Sequence, residues 1–336
     1  MKKRFYCINI PILACLIFLL SLDTYAQDPH FTQSFYSQPL RLNPGIMGMN
    51  TDLKGILNYR TQWANIDKGY TTYGFTGLYP LFLKEGKEKL DVGLSVINDK
   101  AGAFSTFDAG LSIGYNLRIA KAGYLSFALQ GGYIQKSLDA SGLTFDDQYV
   151  LGSYSISNGT NQTVLNEKAS HPDVGFGLMW YYNPDDEDAK LNAYMGASGF
   201  HLNEPNESFT ENEGILPRKF SFQGGVKILG EEKIDFTPNV IANVQGGSEE
   251  FAGGLVLNYQ VKEEALLLLG VWYRKKDAYP IMLGFEHKYF TLYYSYDISS
   301  STLSRAVGGT NSHEITLSFK LNMADKKGVD TVPSMF

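Results

Sequence analysis

Cysteine is nearly absent from this chain of 336 residues. Its two cysteines, Cys7 and Cys15, both lie close to the amino terminus. An exported soluble domain is free to use disulfide bonds, because oxidising compartments allow them. The rest of the sequence has none, so disulfides are excluded there as the framework of the fold and another constraint must hold it together.

A long apolar run is also missing beyond Leu22. The longest stretch, Ala265–Val271, has the length of a strand and falls far short of the roughly 20 residues that a membrane helix needs. Only helices and closed barrels satisfy every backbone hydrogen-bonding group in lipid. A membrane location would therefore require a closed barrel.

Positive charge is in short supply. The chain carries 29 lysines and arginines against 35 aspartates and glutamates, which gives a net charge of −6. Nucleic acid demands a basic surface. The charge balance therefore excludes nucleic acid as a partner.

Motifs for metal, cofactor or covalent chemistry are missing as well. The histidines form neither an HExxH motif nor a close pair with metal-ligand spacing; they are His30, His171, His201, His287 and His313. The acidic run Asp185–Asp188 lacks the glycine and distant glutamate of a calcium loop, and a solvated turn explains it better. The sequence identifies no catalytic, cofactor-binding or metal-binding residue, and it predicts a protein that is not an enzyme.

The amino terminus has the pattern of an export signal. Lys2–Arg4 precede the apolar stretch Ile8–Leu22, and small residues then lead to a cleavage point before Gln27. We expect a signal peptide over residues 1–26. The alternatives are an uncleaved anchor, for which the run is short, and a lipoprotein start at Cys15, beyond which the apolar run continues.

Alternation of apolar and polar residues is strongest near the carboxyl terminus, over Phe290–Ile298 and His313–Leu321. Only an extended strand projects a period of two onto opposite faces. Similar segments recur at about the nine to eleven residues that a tilted membrane strand needs. The predicted strands are Leu53–Trp63, Thr71–Tyr79, Leu90–Ile97, Phe107–Ile119, Tyr124–Gln135, Asp173–Tyr182, Leu191–His201, Arg218–Leu229, Ile234–Gln245, Phe251–Gln260, Ala265–Arg274, Tyr279–His287, Phe290–Ile298 and His313–Leu321.

These segments predict an all-β fold, a transmembrane antiparallel β-barrel of about 14 strands in the bacterial outer membrane. An even number suits a single chain with both ends in the periplasm. The barrel is expected over residues 53–321, after an amino-terminal periplasmic or plug segment over 27–52 and before a carboxyl-terminal tail over 322–336. A soluble exported sheet protein is the alternative, and it would be found outside membrane fractions.

Most connections between the predicted strands sort by parity, although two that follow odd strands, Gly246–Glu250 and Lys275–Ala278, are short. Those after odd strands include Asp99–Thr106, Lys136–Pro172, Leu202–Pro217 and Ser299–Ser312, whereas those after even strands, such as Ala120–Gly123, are tight. Outer-membrane barrels have short periplasmic turns and longer surface loops. The long connections are therefore expected outside the cell, and Lys136–Pro172 is the best candidate for contact with an exported partner.

Glycines and aromatic residues give further expectations for the barrel. Small residues such as Gly110, Ser112 and Gly114 occupy the expected lumen face and leave room for inward segments. The segment 28–50 is therefore expected either to fill the pore or to form a flexible periplasmic arm.

The paired glycines 131–132, 224–225 and 253–254 predict bulges or close approach. The aromatic runs Trp180–Tyr182 and Trp272–Tyr273 are expected to mark the membrane surfaces.

Several local motifs resemble the PorP/SprF family, outer-membrane proteins of the type IX secretion and gliding machinery of Bacteroidetes. They extend over nearly all of the expected mature chain. They are Gln27–Phe31, Leu42–Pro44 with Gly48, Tyr59–Arg60 with Gln62–Trp63, Val96 with Asn98–Asp99 and Gly102, Gly196–Phe209, Gly270 with Tyr273–Arg274 and Asp277, Tyr294–Leu303, and Gly309 with Ser312–Glu314.

The resemblance implies a barrel that serves assembly of the secretion apparatus or surface retention of an adhesin. Its partners would be outer-membrane lipid, a secreted surface protein and other type IX secretion components. It would either anchor the secreted protein at the surface or link the translocon to periplasmic machinery. A passive porin or hydrophobic-solute channel is the alternative. By alternation, Arg60 and Asp297 face the lumen, where we expect their charges to pair.

Overall fold

The computed structural model describes residues 28, 31–63, 69–83, 88–139, 143, 148–150, 153–154, 167–184, 190–209, 214–230, 233–300 and 311–323. The expected signal peptide, His30, the acidic run Asp185–Asp188, most of the predicted loop Lys136–Pro172, the region 301–310 and nearly all of the expected tail lie outside the described residues. Among the residues described, no helix combines the length and the apolar character that crossing a bilayer takes.

Fourteen strands form one closed antiparallel barrel, as the sequence predicts. They are β1 (Asp52–Gln62), β2 (Tyr70–Leu83), β3 (Glu88–Ala101), β4 (Phe104–Arg118), β5 (Gly123–Leu138), β8 (Lys168–Tyr182), β9 (Leu191–Phe200), β10 (Lys219–Leu229), β11 (Ile234–Gln245), β12 (Ser248–Lys262), β13 (Ala265–Arg274), β14 (Ala278–His287), β15 (Phe290–Ser299) and β16 (Ser312–Asn322). The short hairpin of β6 (Tyr149–Val150) and β7 (Ser153–Tyr154) lies between β5 and β8 in the chain.

The barrel closes where β1 pairs with β16. This register runs from Asp52 opposite Asn322 to Gln62 opposite Ser312, and it places Arg60 directly opposite Glu314. The other barrel strands pair with their neighbours in sequence, with β8 following β5. Closure gives the first and last strands a partner on both sides, so neither leaves an edge in the membrane.

The two faces of the wall differ as the alternation predicts. On β4, Leu111 and Ile113 are 53% and 54% exposed, whereas Ser112 between them is fully buried. Apolar side chains therefore face the lipid, and small or polar side chains face the lumen. This arrangement is the reverse of a soluble barrel, and it suits a wall whose outer solvent is hydrocarbon.

One predicted loop is wrong. The segment Asp99–Thr106 is not a loop, because β3 continues to Ala101 and β4 begins at Phe104. The chain reverses over a tight turn in which Gly102 adopts a φ of 64°, a conformation that glycine reaches without a steric penalty. Polar residues in this part of the sequence concealed that the two strands continue as far as this turn.

Two predicted membrane-surface aromatic residues are also placed wrongly. Trp272 is 4% exposed and Tyr181 is 1% exposed, and both side chains lie inside the barrel. The Trp272 ring lies against Gly254, where an added Cβ would meet it at 2.1 Å. The second glycine of each pair thus allows close approach, as at Gly225 beneath the ring of Tyr194. The predicted bulges are absent at 131–132 and 253–254, where the strand register continues unbroken.

We name the two ends of the barrel by their connections. The long-loop end holds the connections after β1, β5, β9 and β15, and the short-turn end holds those after β4, β10, β12 and β14. By the usual asymmetry of outer-membrane barrels, the long-loop end is expected to face outside the cell.

The amino-terminal segment lies inside the lumen. It contains α1 (Ser34–Ser37), α2 (Pro39–Leu42) and the 3-10 helix Pro44–Met49. Proline begins both later helices, where its missing N–H costs no hydrogen bond. The Asn43 side chain accepts a hydrogen bond from the Gly45 N–H at 2.7 Å and so starts the last helix.

Candidate functional site

The amino-terminal segment sits in a notch of small residues on the lumen wall. A Cβ on Gly177 of β8 would lie 2.2 Å from Asn43 Oδ1, and one on Gly196 of β9 would lie 2.8 Å from Asn43 Nδ2. The Asn43 amide donates to the carbonyl oxygens of Leu178 at 2.9 Å and Ala197 at 3.2 Å. The glycines therefore provide the space in which this turn bonds to the barrel wall.

A lysine fastens the segment near the short-turn end. Lys89 Nζ donates to the carbonyl oxygens of Met47 and Gly48 at 3.0 Å each, and also to that of Asn50. These carbonyls belong to the end of the 3-10 helix, where a positive charge is favourable because helix carbonyls point outward there. Tyr181 on β8 donates to the Gly48 oxygen at 2.8 Å.

Aromatic rings pack the middle of the segment against the wall. The Phe35 ring stacks on Tyr194 of β9 at a centroid distance of 5.2 Å, and the Tyr36 ring lies 5.4 Å from that of Tyr293 on β15. Phe35 is buried. These contacts reach opposite parts of the barrel, so the segment crosses the lumen instead of lying along one side.

A buried charge network joins the segment to the closing seam of the barrel. Arg60 on β1 donates to Asp297 at 2.9 Å and to Glu314, its partner across the seam, at 3.0 Å. The predicted pairing of Arg60 with Asp297 is thus confirmed. Thr32 of the segment donates its N–H to Glu314 at 2.7 Å, and Arg274 on β13 donates to Asp297 at 2.7 Å.

A second network fixes the start of the described segment. Asp28 accepts from Lys219 Nζ at 3.1 Å and from His201 Nε2 at 3.1 Å, while His201 Nδ1 donates to Asp173 at 2.9 Å. With a carboxylate at each ring nitrogen, His201 has two acceptors, which suits the imidazolium form that donates from both. Arg41 of α2 pairs with Asp108 of β4 at 2.7 Å.

Protonation of the second network follows from these contacts. Burial disfavours the charged carboxylate, but the charges of His201, Lys219 and Arg41 outweigh it and hold the pKa of Asp28 well below its usual value. Burial by itself would lower the pKa of His201, but the carboxylates of Asp28 and Asp173 raise it to about 9. The pair is therefore ionised at neutral pH.

Above these networks, a cavity of about 660 Å³ opens within the long-loop end. Asp28 and Arg41 of the amino-terminal segment contribute to its lining, and the ends of β1, β2, β3 and β13 form its walls. Its volume lies in the range of ordinary binding pockets. The segment thus separates this cavity from the short-turn end.

Trp63 enters the cavity lining through an unusual backbone conformation. Even-numbered residues of β1 face the lumen, so alternation would turn Trp63 outward. Its φ of 56° instead lies in the left-handed region, which is a genuine outlier for a bulky residue. Its ring lies 4.8 Å from that of Tyr70, and both residues line the cavity.

Sequence reasoning found part of this site and missed the rest. It placed Arg60 and Asp297 in the lumen, because alternation fixes the face of a strand residue. It gave His201 no partner, since Asp28 and Asp173 lie far from it in the chain. The arrangement offers fixed ion pairs and a lined cavity; within the described residues, no histidine, cysteine and carboxylate group of three or more has the arrangement of a metal site.

Replacing Arg60 with Leu is expected to destabilise the folded barrel strongly. The change would leave Asp297 and Glu314 buried beside an apolar side chain, and breaking a buried ion pair costs about 3–5 kcal/mol. Arg218→Leu is the matched control, because Arg218 is 50% exposed in its pair with Glu204 and such pairs contribute about 0–1 kcal/mol. Heat-dependent gel mobility of the purified variants measures the difference, and equal heat stability of the two would contradict the role of the network.

Alkaline pH is expected to loosen the amino-terminal segment. Since the pKa of His201 is raised to about 9, its stabilising contribution is complete below about pH 6.5 and is lost as the pH rises through 9, an effect on the order of 3 kcal/mol. Asp28, whose pKa is lowered, contributes above about pH 4 and loses this contribution as the pH falls further.

The measurement is the unfolding midpoint in detergent from pH 6 to 10. In the wild type, the unfolding midpoint should fall between pH 7 and 9.5, and His201→Gln should abolish this fall. The control His287→Gln, in the short-turn half of β14, should show the same fall as the wild type. If the unfolding midpoint of His201→Gln falls at alkaline pH as much as that of the wild type, His201 is not the group responsible.

Comparison with known proteins gives a family and a fold. The family described as type IX secretion system membrane protein PorP/SprF matches residues 23–319. A search of curated proteins finds no significant match.

Solved structures with the same architecture are outer-membrane barrels. The toluene transporter TodX of Pseudomonas putida is 10% identical with a TM-score of 0.53, over 89% of this chain and 99% of that one. The toluene transporter TbuX of Ralstonia pickettii is 9% identical with a TM-score of 0.53, over 85% and 93%. A FadL homologue of Pseudomonas aeruginosa is 9% identical with a TM-score of 0.52, over 83% and 92%.

At such low identity, these structures establish a shared fold and nothing about cargo. The family match spans most of the barrel, and the closed barrel of fourteen strands places the protein in the outer membrane. The chain therefore belongs to the PorP/SprF family of type IX secretion system membrane proteins.

Proposed function

We propose that this protein is a non-enzymatic scaffold of the type IX secretion apparatus, which binds an exported protein at its long-loop end and retains it at the cell surface. Family membership supports a role in secretion. The observation that carries the proposal is the occupied lumen. A barrel filled by its own amino-terminal segment presents its rims and the cavity at its long-loop end as working surfaces.

The fastening of the segment argues against an open pore. Bonds hold it at both ends and in the middle, through the Asp28 network, the Asn43 turn and Lys89. Its helices touch β3, β4, β5, β8 and β9. In this proposal the amino-terminal segment is a plug, and the barrel wall is a frame that holds the cavity in shape.

A passive channel is the second candidate. It is favoured by the fold that this chain shares with the toluene transporters TbuX and TodX. In that case the segment would leave a route for a small apolar solute beside it. Ion conductance and solute uptake distinguish a channel from a scaffold, because a plugged scaffold gives little of either.

Displacing the plug is expected to open the barrel to ions. Gly177→Val places a branched side chain where Asn43 and the Gly45 N–H lie within 2.5 Å of a Cβ, so the turn must move away from the wall. Gly131→Val is the matched control, since a Cβ on Gly131 meets nothing within 4 Å. In planar bilayers, wild type and Gly131→Val should conduct little, whereas Gly177→Val and a deletion of Asp28–Gly48 should conduct more.

Two results would contradict the plug. The first is conductance of the wild-type protein equal to that of the deletion, which would indicate a channel. The second is unchanged conductance of folded Gly177→Val when a proteolytic footprint shows that the amino-terminal segment has left the wall. Gel mobility before and after heating verifies that each variant is folded.

Co-purification tests the scaffold itself. Tagged protein extracted from outer membranes with mild detergent is expected to bring an exported surface protein with it, and mass spectrometry identifies that protein. Recovery of periplasmic secretion components alone would replace surface anchoring with a link from the translocon to periplasmic machinery. Uptake of toluene into liposomes, with no protein recovered, would favour the channel.

A further inference from the structure

We infer that the connection between β9 and β10 is a flap that covers the cavity at the long-loop end and controls access to it. In the part of the chain that the structure describes, the flap consists of residues 202–209 and 214–217. It contains the second half of the motif Gly196–Phe209, which the proposed function leaves without a role. The inference goes beyond that function, because a flap regulates entry whatever enters.

The two arms of the flap are bonded to each other. The Glu207 N–H donates to the Gly214 oxygen at 2.8 Å, and Asn206 Oδ1 accepts from the Gly214 N–H at 3.0 Å. The Leu216 N–H donates to the Pro205 oxygen at 2.9 Å. These bonds fix the arms relative to each other, so the flap can move as one unit.

The base of the flap lies beside an uncovered part of β8. Although β8 begins well before Phe176, it pairs with β9 only from that residue onward. The flap bonds to β8 ahead of this point. The Leu202 N–H donates to the Val174 oxygen at 3.1 Å, and Asn203 Nδ2 donates to the Pro172 oxygen at 2.9 Å. The base is therefore attached to the barrel wall close to the end of β9.

The far part of the flap reaches past β8 to β5 and β4 through side chains. Glu207 forms an ion pair with Lys136 of β5 at 3.0 Å. The Phe209 ring lies at a centroid distance of 6.0 Å from the ring of Phe104 on β4. Lys136 and Phe104 both line the cavity, so they lie on the lumen side of the wall. The flap therefore leans inward over the mouth of the cavity.

The cavity wall is buried where the flap lies over it. Leu216 of the flap and Ile134 of β5 both line the cavity, and each is only 5% exposed. Ile134 precedes Lys136 by two residues in the strand, so both side chains point to the same face. Ile134 thus lies beneath the ion pair that fastens the flap, and the observed position of the flap is closed.

The fastening at the far part is weaker than the attachment at the base. Across the described residues, no backbone hydrogen bond joins the flap to β4 or β5. The Lys136–Glu207 pair keeps contact with water, at 22% and 13% exposure, and ion pairs in contact with water contribute little. A lid opens about a few residues at its base, and here the base is the turn in which the Glu204 N–H donates to the His201 oxygen at 3.0 Å.

The test measures how fast a thiol inside the cavity reacts. Ile134→Cys places this reporter beneath the flap, in a parent chain in which Cys7→Ala and Cys15→Ala remove the other cysteines. The full barrel in detergent is treated with a maleimide, and mass spectrometry follows the labelling. The reporter should react at least tenfold more slowly than a thiol at the exposed position of Lys168→Cys, because the closed flap excludes the reagent.

Loosening the far part of the flap should speed the labelling. Phe209→Ala and Lys136→Glu are each expected to raise the rate at least fivefold. A carboxylate beside the thiol would by itself slow the reaction, because negative charge disfavours the reactive thiolate, so faster labelling in Lys136→Glu reports access.

A reversed ion pair provides the rescue. Lys136→Glu combined with Glu207→Lys restores a pair of opposite charges and should return the labelling rate to within twofold of the parent. Lys288→Glu breaks an exposed ion pair at the short-turn end and is the matched control, which should label at the parent rate. Heat-dependent gel mobility verifies that every variant is folded.

Three outcomes would overturn the inference. The first is a reporter in the parent that reacts as fast as the thiol of Lys168→Cys, which would show that the flap does not cover the cavity. The second is labelling at the parent rate in folded Phe209→Ala and Lys136→Glu. The third is a double variant that labels as fast as Lys136→Glu alone, which would show that the ion pair does not fasten the flap.

The labelling needs no exported protein, so it separates this inference from the proposed function. If labelling changes as expected but co-purification recovers no exported protein, the flap stands and the scaffold fails. If an exported protein is recovered but the labelling rate is the same in every variant, the scaffold stands and the flap fails.

Discussion

The hydrogen-bonding demand of the peptide backbone in hydrocarbon is the constraint on which this structure depends. An open sheet would leave two rows of unpaired groups in lipid. The chain meets the demand by pairing β1 with β16 along the full length of β1. Closure then turns every second side chain inward, and it creates an interior that must be filled, hydrated or lined.

This protein fills much of that interior with its own amino-terminal segment. Small residues on the wall, such as Gly177 and Gly196, are the physical reason, because they bring the backbone of the segment within bonding distance of the wall. Charged pairs around Asp28 hold its described start, and a second buried network reaches the closing seam, where Thr32 of the segment donates to Glu314. Seating of the segment and closure of the barrel are therefore coupled through shared buried charges.

The occupied lumen also shapes the inference about function. Because the amino-terminal segment occupies the lumen, the proposed function places binding at the rim of the long-loop end and in the cavity beneath it. Trp63 shows how such a surface is built. A residue that alternation assigns to the lipid is turned at φ 56° to stand beside Tyr70 within the cavity lining.

The sequence by itself determined the strands, their number and the faces of their residues, because a period of two and the bilayer thickness act locally. It therefore predicted Arg60 and Asp297 in the lumen. Tertiary structure alone decided what these residues meet. The position of Asp28 beside His201, the inward ring of Trp272 over Gly254, and the turn that replaced a predicted loop at Gly102 all depend on which strands lie side by side and how far they continue. Contacts between residues distant in the chain form only once the barrel has closed, and no local pattern encodes them.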